Sequence, residues 1–282
     1  MIRVSRKHDV VDFEGFTRPP SIYLDHCAIR EISRNESRKR RLLSVFENSG
    51  TLLYSWAHVL DLLKTQGQEA ADLMQEFFLE LGPNWFPLEI NPIRVIKRED
   101  SPSGNSSPCF GPGFLEAYAP HIYDGPLTLS KVVELTRTEE VRSRLDSCLP
   151  AVIQEFKSMV ADNRSRWESD RQFRKQAFKS TFDNARPTAF VWDKMMLQVC
   201  KENFPMTDNH VVDFFHTIVP RACASLIVLD KHWADLARKM GKQDGLGKMY
   251  RVGDIDNFLS DFEEICGRLA NTGLTDAVQR GE

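Results

Sequence analysis

No stretch of this chain approaches the ~18 uninterrupted apolar residues of a membrane-spanning helix. Its composition is that of a globular chain, with 282 residues, 41% hydrophobic and 27% charged. There is no C-x-x-C pair. The six cysteines (Cys27, Cys109, Cys148, Cys200, Cys223 and Cys266) are widely scattered. That spacing argues against a disulfide framework and a structural zinc site, and it suits a reducing compartment. The opening stretch MIRVSRKHDVVDFEG lacks the apolar core and small-residue cleavage site of a secretory signal. A cytoplasmic protein is therefore expected. Charge of one sign is not in excess: the net value of −3 does not mark the chain as a whole as a polyanion binder.

Several catalytic signatures are missing as well. GKQDGLGKMY at 241–250 is rich in glycine and lysine, but no Ser or Thr follows Lys248 and a helix precedes it. It therefore fails as a phosphate-binding loop. Neither G-x-S-x-G nor H-E-x-x-H occurs.

What is present is an alternation of short apolar runs with amphipathic helices. SIYLD at 21–25 and GTLLYS at 50–55 are strand-like, and the second runs into WAHVLDLLKTQG with helical spacing. EAADLMQEFFLELG gives a further helix ended by Gly82-Pro83. NWFPLEINPIRVIKRE is expected to be extended, with Pro87 and Pro92 arguing against a central strand. SPSGNSSPCFGPG at 101–113 reads as a loop, and a charged helical block follows over 128–182. TAFVWDKMMLQVCKE and MTDNHVVDFFH are helical, CASLIVLD at 223–230 is strand-like, and KHWADLARKM returns to helix. A strand near 248–252 and a helix in IDNFLSDFEEICGRL complete the pattern. Runs that are apolar throughout suit a parallel sheet covered on both faces. The expected class is α/β: one domain over 1–282, with core segments 18–100 and 185–270 and a helical insertion at about 110–184.

Two aspartates stand at strand ends, Asp25 in IYLD and Asp230 in LIVLD. In open α/β sheets ligands bind beyond those ends, although an aspartate there can equally cap the next helix. Asp61 falls early in the helix after the second strand. Asp213 lies between Val211-Val212 and Phe214-Phe215, with His210 and His216 three residues to either side. Asp208 or Thr207 is the expected cap of that helix. Four carboxylates gathered at one sheet edge would raise one another's pKa unless a cation joined them. Oxygen ligands alone favour Mg²⁺ or Mn²⁺ over zinc, and such an ion assists displacement at a phosphodiester. The basic runs SRNESRKRR at 33–41 and RQFRKQAFK at 171–179 are solvated faces or phosphate contacts, and Trp167 among arginines could stack a base.

SIYLD, YSWAHVLDL and TDNHVVDFFHTIVPRACASLIVLDKHW together resemble the PIN-domain family of metal-dependent nucleases, which includes toxins of bacterial toxin–antitoxin pairs. The resemblance covers about half the chain and implies a three-layer α/β/α fold around a central, mainly parallel sheet. It implies Asp25, Asp61, Asp213 and Asp230 as catalytic and metal-site acids, with Asp208 and His216 in support. It also implies a Mg²⁺ or Mn²⁺ cofactor, an RNA substrate, and control by an inhibitory or scaffold protein partner. The chain departs from the pattern in its length, in the helical insertion, and in Ser225, where related sequences often carry a further aspartate. A PIN-like scaffold that binds RNA or protein without cutting is the alternative expectation.

Overall fold

The computed structural model describes residues 1–7, 10–64, 68–101, 108–122, 125–202, 205–241, 243–272 and 279–281. Strands β1 (Ile2–Lys7) and β2 (Val10–Thr17) pair antiparallel. A cis bond between Pro19 and Pro20 leads into β3 (Ser21–Leu24). Helices α1 (His26–Arg34) and α2 (Glu36–Phe46) precede β4 (Thr51–Tyr54), α3 (Trp56–Lys64), α4 (Gln68–Leu81) and β5 (Trp85–Pro87). Helix α5 (Pro92–Glu99) follows, then short 3₁₀ turns over Pro112–Ala117 and Ala119–His121 and the two-residue β6 (Gly125–Pro126). The helical insertion supplies α6 (Leu129–Thr136), α7 (Glu139–Ser169) and α8 (Arg171–Gln176). The chain continues through α9 (Pro187–Glu202), α10 (Asp208–Cys223), β7 (Leu226–Leu229) and α11 (Lys231–Arg238). It ends with β8 (Lys248–Arg251), α12 (Ile255–Thr272) and β9 (Gln279–Gly281).

The central sheet has the order β5-β4-β3-β7-β8, and each neighbouring pair is parallel. SIYL, TLLY and LIVL are buried at every position, as a sheet covered on both faces requires. From β3 the chain steps outward through β4 to β5 on one side. The later strands β7 and β8 lie on the other. The order therefore reverses between β3 and β7, which opens a crevice beyond their carboxyl ends.

Two regions depart from the sequence reading. Residues 84–99 form a strand only over β5, an edge strand, with one further bridge from Leu88 to Phe110. Asn91 then caps α5 by accepting from the amides of Ile93 and Arg94, and Pro92 sits where its missing amide costs nothing. The amino-terminal residues form a second sheet, β6-β1-β2-β9, that the sequence analysis did not anticipate. Of the described side chains of β1, Ile2 and Val4 are buried, so its charged, alternating pattern gives a weak signal beside the apolar runs of the parallel sheet. The strand in CASLIVLD is also shorter than expected, because Cys223 still belongs to α10.

One hydrophobic cluster runs through the sheet, its covering helices and the insertion. Phe156 of α7 packs on Phe214 and Phe215 of α10, with ring centroids 5.0 and 4.9 Å apart. The insertion thus braces the helix that carries Asp213 and His216.

Candidate metal centre

The crevice between β3 and β7 collects the four aspartates. Asp25, Asp61, Asp213 and Asp230 line one small cavity of about 40 Å³ together with His26, Cys27, His216 and Trp233. Each reaches it for a local reason. Asp25 follows β3 and caps α1, its Oδ1 accepting from the Ala28 amide at 2.7 Å. Asp230 follows β7 and caps α11 in the same way, accepting from the Trp233 amide at 3.1 Å. The ladder extends past the strand ends, where the Asp25 amide donates to Val228 O at 3.0 Å. Both aspartates are therefore caps and cavity-lining acids at once. Asp61 comes from α3 and Asp213 from α10, so four elements contribute one carboxylate each.

A buried polar network holds the floor. His216, only 3% exposed, faces Asp61 Oδ2 through Nε2 at 3.2 Å and hydrogen-bonds the Tyr23 hydroxyl through Nδ1. With Asp61 ionised, Nε2 carries a proton and donates to it, while Nδ1 accepts from the Tyr23 hydroxyl when the ring is neutral and donates to it when the ring is protonated. His58 stacks against Tyr54 and lies edge-on to His216. Its Nε2 donates to Leu24 O at 2.7 Å, and its Nδ1 accepts from the Ser55 amide and hydroxyl, both at 3.1 Å. Those contacts fix His58 as a neutral tautomer. Burial, reinforced by the charge of His216, pushes its pKa well below the usual value.

The acids divide into two kinds. Burial raises the Asp25 carboxyl to about 7; amides of Ala28 and Asp230 and the charge of His216 oppose the rise, while the charge of Asp230 adds to it. Burial likewise lifts Asp213 to about 6, with His216 opposing and the charges of Asp230 and Asp61 adding, and the Trp233 side chain hydrogen-bonds its carboxylate. Burial also works against the Asp61 anion, but the hydrogen bond and charge of His216 prevail and its pKa is lowered. His216 moves the opposite way: burial disfavours its cation, yet Asp61 outweighs burial and raises its pKa. Cys27 is no thiolate, because burial and the charge of Asp25 push its thiol up to about 11.

The donor set is thus hard oxygen, and two of its four members, Asp25 and Asp213, are destabilised as anions by burial. That chemistry fits Mg²⁺ or Mn²⁺, and the cavity has room for a small cation with water. As placed, no three His, Cys, Asp or Glu side chains among the described residues stand in ligating arrangement about one point.

The other sequence candidates fall outside this cavity. Thr207, not Asp208, caps α10 by accepting from the His210 amide at 3.3 Å. Asp208 is the first helical residue and pairs with Lys157 of α7 at 2.8 Å, so its proposed support of the acids is replaced by an interhelical ion pair. His210 is directed to Pro205 O. Ser225 precedes β7 at the opposite edge of the sheet, donating to Ser21 O at 2.8 Å, so a carboxylate there would not reach the cavity. In the run 33–41, Arg38 binds Glu31 and Asp256, and Arg41 binds Glu263. In the run 171–179, Arg174 donates to the carbonyls of Trp167 and Glu168, while Arg166 lies over Phe173. The glycines of 241–250 serve the backbone. A Cβ at Gly247 would lie 2.0 Å from Ala224 O, so the turn into β8 excludes any side chain there. Sequence reasoning missed Tyr23 and His58, whose aromatic rings read simply as core. The S-x-x-H spacing of Ser55 and His58 was the available signal.

No family model matches the chain, and no curated protein or solved structure matches it significantly.

Proposed function

We propose that the protein is a metal-dependent endoribonuclease of PIN-like type that hydrolyses RNA phosphodiester bonds at the β3–β7 crevice. The observation that carries this reading is the placement of four aspartates from four elements around one cavity at the sheet's switch point. Asp25, Asp61, Asp213 and Asp230 would hold Mg²⁺ or Mn²⁺. When bound, such an ion supplies positive charge against the phosphodiester and lowers the pKa of water.

The chain's own residues set up that chemistry. Asp25 and Asp230 are positioned by the helix caps they form, so their carboxylates are held where the strands end. His216 fixes one oxygen of Asp61 and is itself fixed by Tyr23, as residues behind a metal ligand commonly do. Asp213 and Asp25, raised towards neutrality in the metal-free chain, would give up their protons when a cation binds. The test is cleavage of a single-stranded RNA with Mn²⁺ present. Asp25→Asn and Asp230→Asn should each abolish it, and activity surviving in both would remove the assignment.

A second reading is favoured by one observation, the absence of a converged ligand triad among the described residues. On that reading the chain is a PIN-like scaffold for RNA or protein that no longer cuts. Calorimetric titration with Mn²⁺ separates the two, since a scaffold shows no binding that depends on Asp25 and Asp230.

A further inference from the structure

A second cavity, of about 430 Å³, opens on the same carboxyl edge of the parallel sheet as the acids. Its base is built where β4 and β5 end, from Trp56 and from Glu89 and Asn91. With strands about 4.8 Å apart, the end of β5 lies on the order of 10 Å from the end of β3. Helix α3 joins the two places, with Trp56 in its first turn and Asp61 farther along. Trp56 is partly exposed and is braced edge-on by Phe215, two positions from Asp213, at 5.4 Å between centroids.

The far wall comes from the insertion. Residues 109–111 zip antiparallel onto the chain beyond β5: the Glu89 amide donates to Cys109 O at 3.0 Å, and the Gly111 amide donates to Pro87 O at 2.8 Å. Only glycine permits that approach, because a Cβ at 111 would stand 2.4 Å from the Glu89 nitrogen. Leu145 and Val152 of α7 close the apolar side. Glu89 is 8% exposed and accepts from the Asn91 amide at 2.9 Å, so a fixed acceptor lies at the bottom. Arg94, paired with Glu89 at 3.4 Å, and Arg144, paired with Glu140 at 2.8 Å, stand at the rim with Glu116, their side chains 68% and 44% exposed.

We infer that this cavity receives a nucleobase of a single-stranded RNA, stacked on Trp56 and read by Glu89 and Asn91, while the neighbouring backbone runs past Arg94 and Arg144 toward the acids. The proposal rests on the nuclease reading for its substrate class. Its own grounds are a flat aromatic wall, a hydrogen-bonding floor, two arginines at the rim whose side chains reach solvent, and a volume suited to a base with its ribose. It gives the insertion a task that the acids do not explain: selecting which base lies beside the scissile bond.

The test uses AMP, GMP, CMP and UMP as probes, with ribose 5-phosphate as the base-free comparison, titrated calorimetrically into the full chain in EDTA. With metal removed, the result does not depend on the acids, whereas failure of the nuclease reading is seen separately in the Asp25→Asn and Asp230→Asn cleavage assays. At least one nucleotide should bind saturably at about 1 mM or tighter, and ribose 5-phosphate should not. Trp56→Leu and Gly113→Trp should each weaken that binding about tenfold or more, the expected scale for losing a stacked base. Gly113 is chosen because a Cβ there meets nothing within 4 Å, so the chain tolerates a side chain that fills the mouth. If Trp56→Leu fails to fold, Gly113→Trp decides. No saturable nucleotide binding, equal binding of ribose 5-phosphate, or undiminished binding by a folded Gly113→Trp variant would each overturn the inference.

Discussion

His216 faces Asp61 across 3.2 Å from a position almost sealed from solvent, and their pKa values move apart, Asp61 down and His216 up. The carboxylate's contribution to stability is present above its ordinary range and is lost as pH falls through its lowered pKa. The imidazole's contribution is complete below 6.5 and is lost as pH rises through its raised value. Between those limits the pair is an ion pair. His216→Gln keeps a donor but removes the charge. It should lower stability by about 1–3 kcal/mol and reduce Mn²⁺ affinity or cleavage about 10–100-fold, measured by denaturant melts and single-turnover assays. Wild-type metal affinity in the variant would show that His216 does not position Asp61.

The metal-free protein should lose stability as pH rises from about 4 to 7. The folded state holds protons on Asp25 and Asp213 with pKa values of about 7 and about 6, against 3.8 for an ordinary aspartate. More protons are bound folded than unfolded through that window, so raising pH favours unfolding. Melting temperatures in EDTA should drop by several degrees, at about 2–4 °C per kcal/mol for a chain of this size. Mn²⁺ should reverse the loss at pH 8 and have little effect at pH 5, where protons occupy its ligands. A metal-induced shift of the same size at both pH values would contradict this account.

Asp25→Asn offers a contrary pair of effects. Asparagine caps a helix about as well as aspartate, so the Ala28 contact survives while the buried charge goes. The metal-free variant should melt higher than wild type at pH 8, yet show no upward shift with Mn²⁺. A variant that melts lower in EDTA would mean the carboxylate is needed for the fold itself.

Lys39 lies under three glutamates, its Nζ 3.0 Å from Glu36, 3.2 Å from Glu76 and 2.9 Å from Glu80. It is 4% exposed, and its pairs with Glu76 and Glu80 join α2 to α4. Lys39→Met should leave the glutamates repelling one another and cost about 1 kcal/mol, modest because they are themselves open to water. The deficit should shrink in high salt. A salt-independent loss would instead indicate packing of the lysine stem.

Gly111→Ala should cost about 1–3 kcal/mol, since the added methyl overlaps the backbone of Glu89. Gly113→Ala, into open space, should change stability by less than about 0.5 kcal/mol. Chemical denaturation of the two variants side by side checks the difference.

What the residues alone revealed follows the strength of their burial signal. SIYL, TLLY and LIVL are apolar at every position because both faces of the sheet are covered, and such runs are visible without partners. The aspartates that follow two of them were legible for the same reason. The amino-terminal sheet was not, since β1 exposes one face and the outer strands β6 and β9 are two and three residues long. Asp208 misled because Thr207 and Asp208 are both good caps, and only backbone geometry distinguishes the cap from the first helical residue. Tyr23 and His58 were invisible as site residues because an aromatic within an apolar run carries no sign of which hydrogen bond it makes. The cavity beside Trp56 needed the pairing of 109–111 with 87–89, a relation between loops that local pattern does not encode.

The crevice has a history during synthesis. Ile22 pairs with Leu226, so β3 waits for β7 until most of the chain has been made. At about 5–20 residues per second that wait is roughly 10–40 s, during which the acids of the first half have no counterparts. A growing chain attached to its ribosome therefore carries Asp25 and Asp61 without Asp213 and Asp230. If the finished crevice cuts RNA, it cannot do so before Asp213 and Asp230 have been added.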